Sequence, residues 1–204
     1  MKSLRLPASE AALLVVDMQN GFVHPDSAMG RARGTAPQRK IVPAIAAVAE
    51  ECRRRGVPVL WTKQEHHRDD VTRAGRRIRP HSARQGFLPC LRGTWETEFY
   101  SGILPAVAPE DHVIAKHRAS AFFDTNLSTK LRMLGVRVLA IAGCNTEFCV
   151  ESTVRDAYAR DFELVILRDC VAGIDPRFHK NSLAVCEAYF GEVVDSAKFR
   201  RMLK

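Results

Sequence analysis

The stretch AALLVVDM, residues 11–18, sets six apolar residues in a row and then a carboxylate, Asp17. Successive side chains of a strand point to opposite faces, so a half-buried strand alternates apolar and polar. An unbroken apolar run therefore belongs to a strand covered on both faces. In a globular chain that means a parallel sheet sandwiched between helices. The run cannot be a membrane span, which needs about 20 apolar residues. Nor does it resemble a leader peptide: Asp17 follows directly, without a small-residue cleavage site. A cytoplasmic protein without a membrane partner is expected.

Similar short, β-branched runs recur as VPVLWTK, DHVIAKH, VRVLAIAG and FELVILRDC, and EVVDSAKF reads as a last strand. Helical periodicity separates them. In QRKIVPAIAAVAEECRRRG, Ile41, Ile45, Val48 and Cys52 fall on one face. Arg53, Arg54 and Arg55 complement the C-terminal dipole there, and Gly56 can close the helix in a left-handed conformation. Pro43 is tolerable only in a first turn. TNLSTKLRMLG and FHKNSLAVCEAYFG are further helices ending in glycine. After Cys149, the positions Val150, Val154, Ala157 and Tyr158 suit a helix packed on the sheet. This alternation predicts an α/β fold: a three-layer α/β/α sandwich with a mainly parallel, roughly six-stranded, Rossmann-like sheet. One domain spanning residues 1–204 suits the length. Its irregular part, about residues 64–110, is rich in Arg, Gly, Pro and His and reads as a functional rim or lid.

The net charge of +8 raises the question of nucleic acid. Much of the basic excess sits in HHRDDVTRAGRRIRPHSARQGF, without an aromatic-rich RNA motif or a recognition helix. A solvated or anion-attracting rim fits better, and no nucleic-acid partner is expected. The six cysteines form neither C-x-x-C pairs nor a dense ladder, so reduced thiols are the default and zinc has no spacing signature.

Chemistry gathers at the strand ends. In a parallel sheet all C-terminal ends share one edge, where ligands bind. Asp17 ends the first strand, Lys116 ends DHVIAKH, and VRVLAIAG leads to Cys149 at the start of a helix. Each has an innocent reading as turn cap, solvated cation or core thiol. Together they supply a base, a cation and a nucleophile, the groups that acyl transfer needs. A thiol beside a helix N-terminus and a lysine is expected to favour thiolate.

VVDMQNGF, KHRASAFFDTNL and GCNTEFCVESTVRDA strongly resemble the isochorismatase-like cysteine hydrolase superfamily, in that family's order and over nearly the whole chain. Its members include amidases of nicotinamide, N-carbamoylsarcosine, biuret and ureidoacrylate. The resemblance implies a catalytic triad of Asp17, Lys116 and Cys149. It also implies an oxyanion hole from the backbone N–H groups of Asn145 and Cys149, the former entered through a peptide that is cis in many relatives. Asn145 replaces the small residue usual there. Nicotinamidases of the superfamily hold a divalent ion with an Asp-x-His and a second His. WTKQEHHRDD lacks that spacing, so no metal and no cofactor are expected. The motif match is nearest the ureido and carbamoyl amidohydrolases. It implies C–N cleavage of a small linear amide, of biuret, triuret or ureidoacrylate type, through a thioester. Isochorismatase-type, nicotinamidase-type and non-catalytic members are the alternatives. Phe22, Trp95, Phe122 and Phe123 are candidate pocket walls, and Arg68, Arg92 and Arg118 candidate anchors for a carboxylate or carbonyl. Relatives of this kind are commonly homo-oligomers, so a homodimer or homotetramer is expected.

Overall fold

The computed structural model describes residues 5–68 and 86–204. Six strands, β1 (Ala11–Val16), β2 (Val59–Gln64), β3 (His112–Lys116), β4 (Val138–Cys144), β5 (Glu163–Ala172) and β6 (Glu192–Val194), form one sheet in the order β3-β2-β1-β4-β5-β6. Every pairing is parallel. All six residues of β1 are buried, as its unbroken apolar run requires. Leu13 and Val15 face one core, and Ala12, Leu14 and Val16 the other.

The first core is covered by α1 (Asn20–Val23), α2 (Ala28–Arg33), α3 (Ala36–Lys40), α4 (Val42–Arg54) and α8 (Ser196–Met202). The second lies under α5 (Leu127–Met133), α6 (Glu151–Tyr158) and α7 (Pro176–Tyr189). Ile41, Ile45, Val48 and Cys52 are all buried, as their spacing predicts. Truncating Ile45 to Ala at the centre of that face would cost about 2–5 kcal/mol. The helix does not run unbroken from Gln38, however. Pro43 has no N–H for the carbonyl of Arg39, so the chain breaks at Ile41 and Pro43 sits in the first turn of α4.

The last strand is shorter than its sequence suggests. β6 stops at Val194, because Asp195 caps α8: its carboxylate accepts the Lys198 N–H at 2.6 Å. The predicted irregular segment is partly visible. Residues 69–85 lie outside the described residues. Residues 86–110 run without strands, through short turns at Trp95–Thr97 and Leu104–Ala106. They are fastened down by the Asn20 N–H to Glu98 carbonyl bond (2.8 Å), the Tyr100 N–H to Met18 carbonyl bond (3.0 Å), and Arg53, which donates to the Ala106 carbonyl (2.5 Å). Among the described residues no helix is long and apolar enough to cross a membrane.

Candidate active site

The strand order reverses between β1 and β4, and a crevice at the carboxyl ends of the strands opens at such a point. Asp17 follows β1 directly with φ +53°, a left-handed turn that an aspartate tolerates better than most residues. β1 and β4 approach so closely here that a Cβ on Gly143 would lie 2.1 Å from the Val16 carbonyl oxygen. Gly143 also has φ +108°. The Cys144–Asn145 peptide is cis. A π-helical turn, Thr146–Val150, then joins β4 to α6 and carries Cys149.

Asp17, Lys116 and Cys149 meet. Lys116 Nζ lies 2.7 Å from Asp17 Oδ2, with both side chains fully buried, and the Cys149 thiol is near enough for both groups to bear on its ionisation. Thr62 supports Asp17: its hydroxyl donates to Oδ1 (2.5 Å) and accepts the Asp17 N–H (3.1 Å). Lys116 also donates to Gln64 Oε1 (2.7 Å) and to the Arg118 carbonyl (3.0 Å). Thr62 and Gln64 are two apart on β2 and so share a face. That spacing, at the end of a buried strand next to Lys116, is the signal that sequence reading could have used to find them.

Burial works against charge on Lys116, but Asp17 and Cys149 outweigh it and leave the ammonium favoured beyond its ordinary range. For Cys149 the balance reverses. Burial pushes the thiol up to about 12, Lys116 opposes this, and Asp17 adds to it. Against the expected thiolate, the burial of Cys149, a residue 4% exposed, disfavours the charged form while Lys116 favours it.

Asn145 is held by its side chain. Gln38 Nε2 donates to Asn145 Oδ1 (2.8 Å) and to the Gly173 carbonyl (3.0 Å). Sequence reading did not mark Gln38, since a polar residue before an amphipathic helix gives no sign of a partner over 100 positions away.

The substrate-contact candidates scatter. Arg118 sits beside Lys116 and stacks on the half-exposed Phe123, 5.8 Å from its centroid. Phe22 is buried in α1, and α1 lies against the turn that carries Trp95, about half exposed. Phe122 packs on Phe162 (5.9 Å between centroids), with Arg160 over its ring; it is a core side chain. Arg68 is exposed, and Arg92 pairs with Glu65 at 3.7 Å. His66 turns Nδ1 to the Pro89 carbonyl at 2.5 Å, and His67 is exposed. Among the described residues no three His, Cys, Asp or Glu side chains converge as metal ligands, so the donor set of a divalent ion is not assembled there. All six cysteines are free thiols.

Comparison with known proteins places these features in context. The Isochorismatase domain matches residues 11–198. A "probable inactive nicotinamidase" of Arabidopsis thaliana is 38% identical over 171 residues, covering 82% of this chain and 83% of the relative. The ureidoacrylate amidohydrolase RutB of Methylobacterium radiotolerans is 31% identical over 217 residues, covering 98% of this chain and 82% of the relative. The crystal structure of a cysteine hydrolase from Pseudomonas syringae pv. phaseolicola superposes with a TM-score of 0.83 at 25% identity, covering 99% of this chain and 97% of that one.

Proposed function

This chain belongs to the isochorismatase family, and from that premise we propose that it is a cysteine-dependent amidohydrolase cleaving a C–N bond of a small linear amide or ureido compound. The observation that carries the reading is the fully buried Asp17–Lys116 pair, 2.7 Å apart, with both groups bearing on the ionisation of the Cys149 thiol. Asp17 takes the thiol proton as sulfur attacks the carbonyl carbon. The N–H groups of Asn145 and Cys149 receive the developing oxyanion. Asp17 then returns the proton to the departing amine, leaving a thioester on Cys149. A water deprotonated by Asp17 attacks the thioester and frees the acid and the thiol. Lys116 holds Asp17 in place and offsets the negative charge that builds on sulfur.

The likeness to a ureidoacrylate amidohydrolase over nearly the whole chain supports a ureido or carbamoyl substrate. The 38% identity to a protein described as an inactive nicotinamidase favours a second reading, a non-catalytic member of the fold. One experiment separates them. The protein is incubated with biuret, triuret, ureidoacrylate and nicotinamide, ammonia is measured, and acyl adducts are sought on Cys149 by mass spectrometry. The first reading expects ammonia from a ureido compound, and its loss in Cys149→Ser with the fold intact. Turnover unchanged in Cys149→Ser removes the covalent mechanism, and silence across the panel favours the non-catalytic reading.

A further inference from the structure

Gln64 is 2% exposed and fully engaged through its backbone: its N–H donates to Gln19 Oε1 (2.7 Å) and its carbonyl accepts from Gln19 Nε2 (3.0 Å). Its side chain is engaged at one end only. Oε1 accepts from Lys116 Nζ at 2.7 Å, while Nε2 has no partner among the described residues. The orientation of the amide follows from chemistry. An ammonium has no lone pair to offer, so the oxygen must face Lys116 and the NH2 must point away. In a planar amide the nitrogen lies about 2.3 Å from the oxygen, which puts Nε2 within roughly 5 Å of the Lys116 ammonium. That ammonium is paired with Asp17 at 2.7 Å and bears on the ionisation of the Cys149 thiol. Buried amide N–H groups nearly always find an acceptor, so an unpaired one within roughly 5 Å of the Lys116 ammonium marks where an acceptor is brought from outside.

We propose that the Gln64 side-chain NH2 reads a second oxygen of the substrate, a carbonyl or carboxylate beyond the scissile carbonyl, and so sets the specificity of this site. This deepens the amidohydrolase reading and rests on it for the position of the scissile carbonyl at Cys149. Lys116 fixes the amide so that only its donor side faces the ligand, which makes the contact directional. An amide with an alkyl group at that place leaves Nε2 buried and unpaired. A site built around a hydrogen bond discriminates strongly against such an analogue. A molecule with two carbonyls in series, as in acylureas, fits the arrangement.

Acetylurea and ethylurea differ by that one carbonyl and test the proposal. Their affinities are measured by calorimetry on Cys149→Ser protein, with Gln64 intact, with Gln64→Leu and with Gln64→Glu. Gln64→Glu keeps the acceptor for Lys116 and removes the donor. The expected result is binding of acetylurea at least about tenfold tighter than of ethylurea, with the ratio falling to about one in both Gln64 variants. A ratio near one with Gln64 intact overturns the proposal, as does a ratio that both variants keep. A ratio lost in Gln64→Leu but kept in Gln64→Glu also overturns it, since Gln64 then acts only through Lys116. Ammonia release by the unaltered protein is read separately. No ammonia with the expected change in ratio sinks the hydrolase reading and leaves Gln64 as a specificity residue. Ammonia with an unchanged ratio does the reverse.

Discussion

Replacing Lys116 with Met keeps the length and bulk of the side chain and removes one charge from a fully buried pair. At 2.7 Å and an effective dielectric constant of about 20, the attraction to Asp17 is about 6 kcal/mol before desolvation is subtracted. Removing one partner strands the other charge, so a net loss of about 3–5 kcal/mol is expected in urea unfolding at neutral pH. Asp17→Asn together with Lys116→Met removes both charges and should recover at least half of that loss, because no lone charge remains buried. The pH dependence has a definite sign. The folded-state pKa of Lys116 lies above the ordinary 10.5, so its contribution is complete below 10.5 and fades as pH rises through the folded value. A second readout is alkylation of Cys149 by iodoacetamide, located by mass spectrometry. Burial pushes the thiol up to about 12, so thiolate is scarcer at pH 7 than for an ordinary thiol. Loss of the cation that lowers it should slow the reaction further, with partial recovery as pH is raised. A single-variant loss below about 1 kcal/mol, or additive losses in the double variant, would refute the reasoning. An alkylation profile like that of the unaltered protein would leave Lys116 a positional role only.

Three further outcomes can be checked. Gly143→Ala would place a methyl 2.1 Å from the Val16 carbonyl at φ +108° and force β1 from β4, so a loss of at least about 3 kcal/mol in thermal or urea unfolding is expected. Asp111 is held below the ordinary 3.8: burial raises it, but bonds from Arg53 and Trp61 outweigh the burial. Its contribution is complete above pH 3.8 and lost as pH falls through the folded value; Arg53→Ala should cost about 2–3 kcal/mol at pH 7 and flatten the acid limb of the stability curve. Exhaustive chelation should leave any turnover unchanged, and loss restored by zinc, iron or manganese would place a metal in the chemistry.

The architecture was legible wherever a residue's environment follows from its neighbours in the chain. The unbroken run of β1, the four-three-four spacing in α4 and the strand–helix alternation name a parallel three-layer sheet, since periodicity records which faces are buried. The three strand ends marked Asp17, Lys116 and Cys149 for the same reason: parallel strands share one carboxyl edge. Pro43 stands in the first turn of α4, where its missing N–H allows it, whereas local reasoning went astray at Asp195, which turned the tail of EVVDSAKF into α8. Tertiary structure decided what depends on distance through space. It set Phe122 into the core on Phe162, brought Gln38 to Asn145 across the fold and put Gln64 on Lys116. It also set the surroundings of the Cys149 thiol. The sequence displays the cation that favours a thiolate, but the opposing desolvation exists only once strands and helices close around the sulfur, and it is the larger of the two.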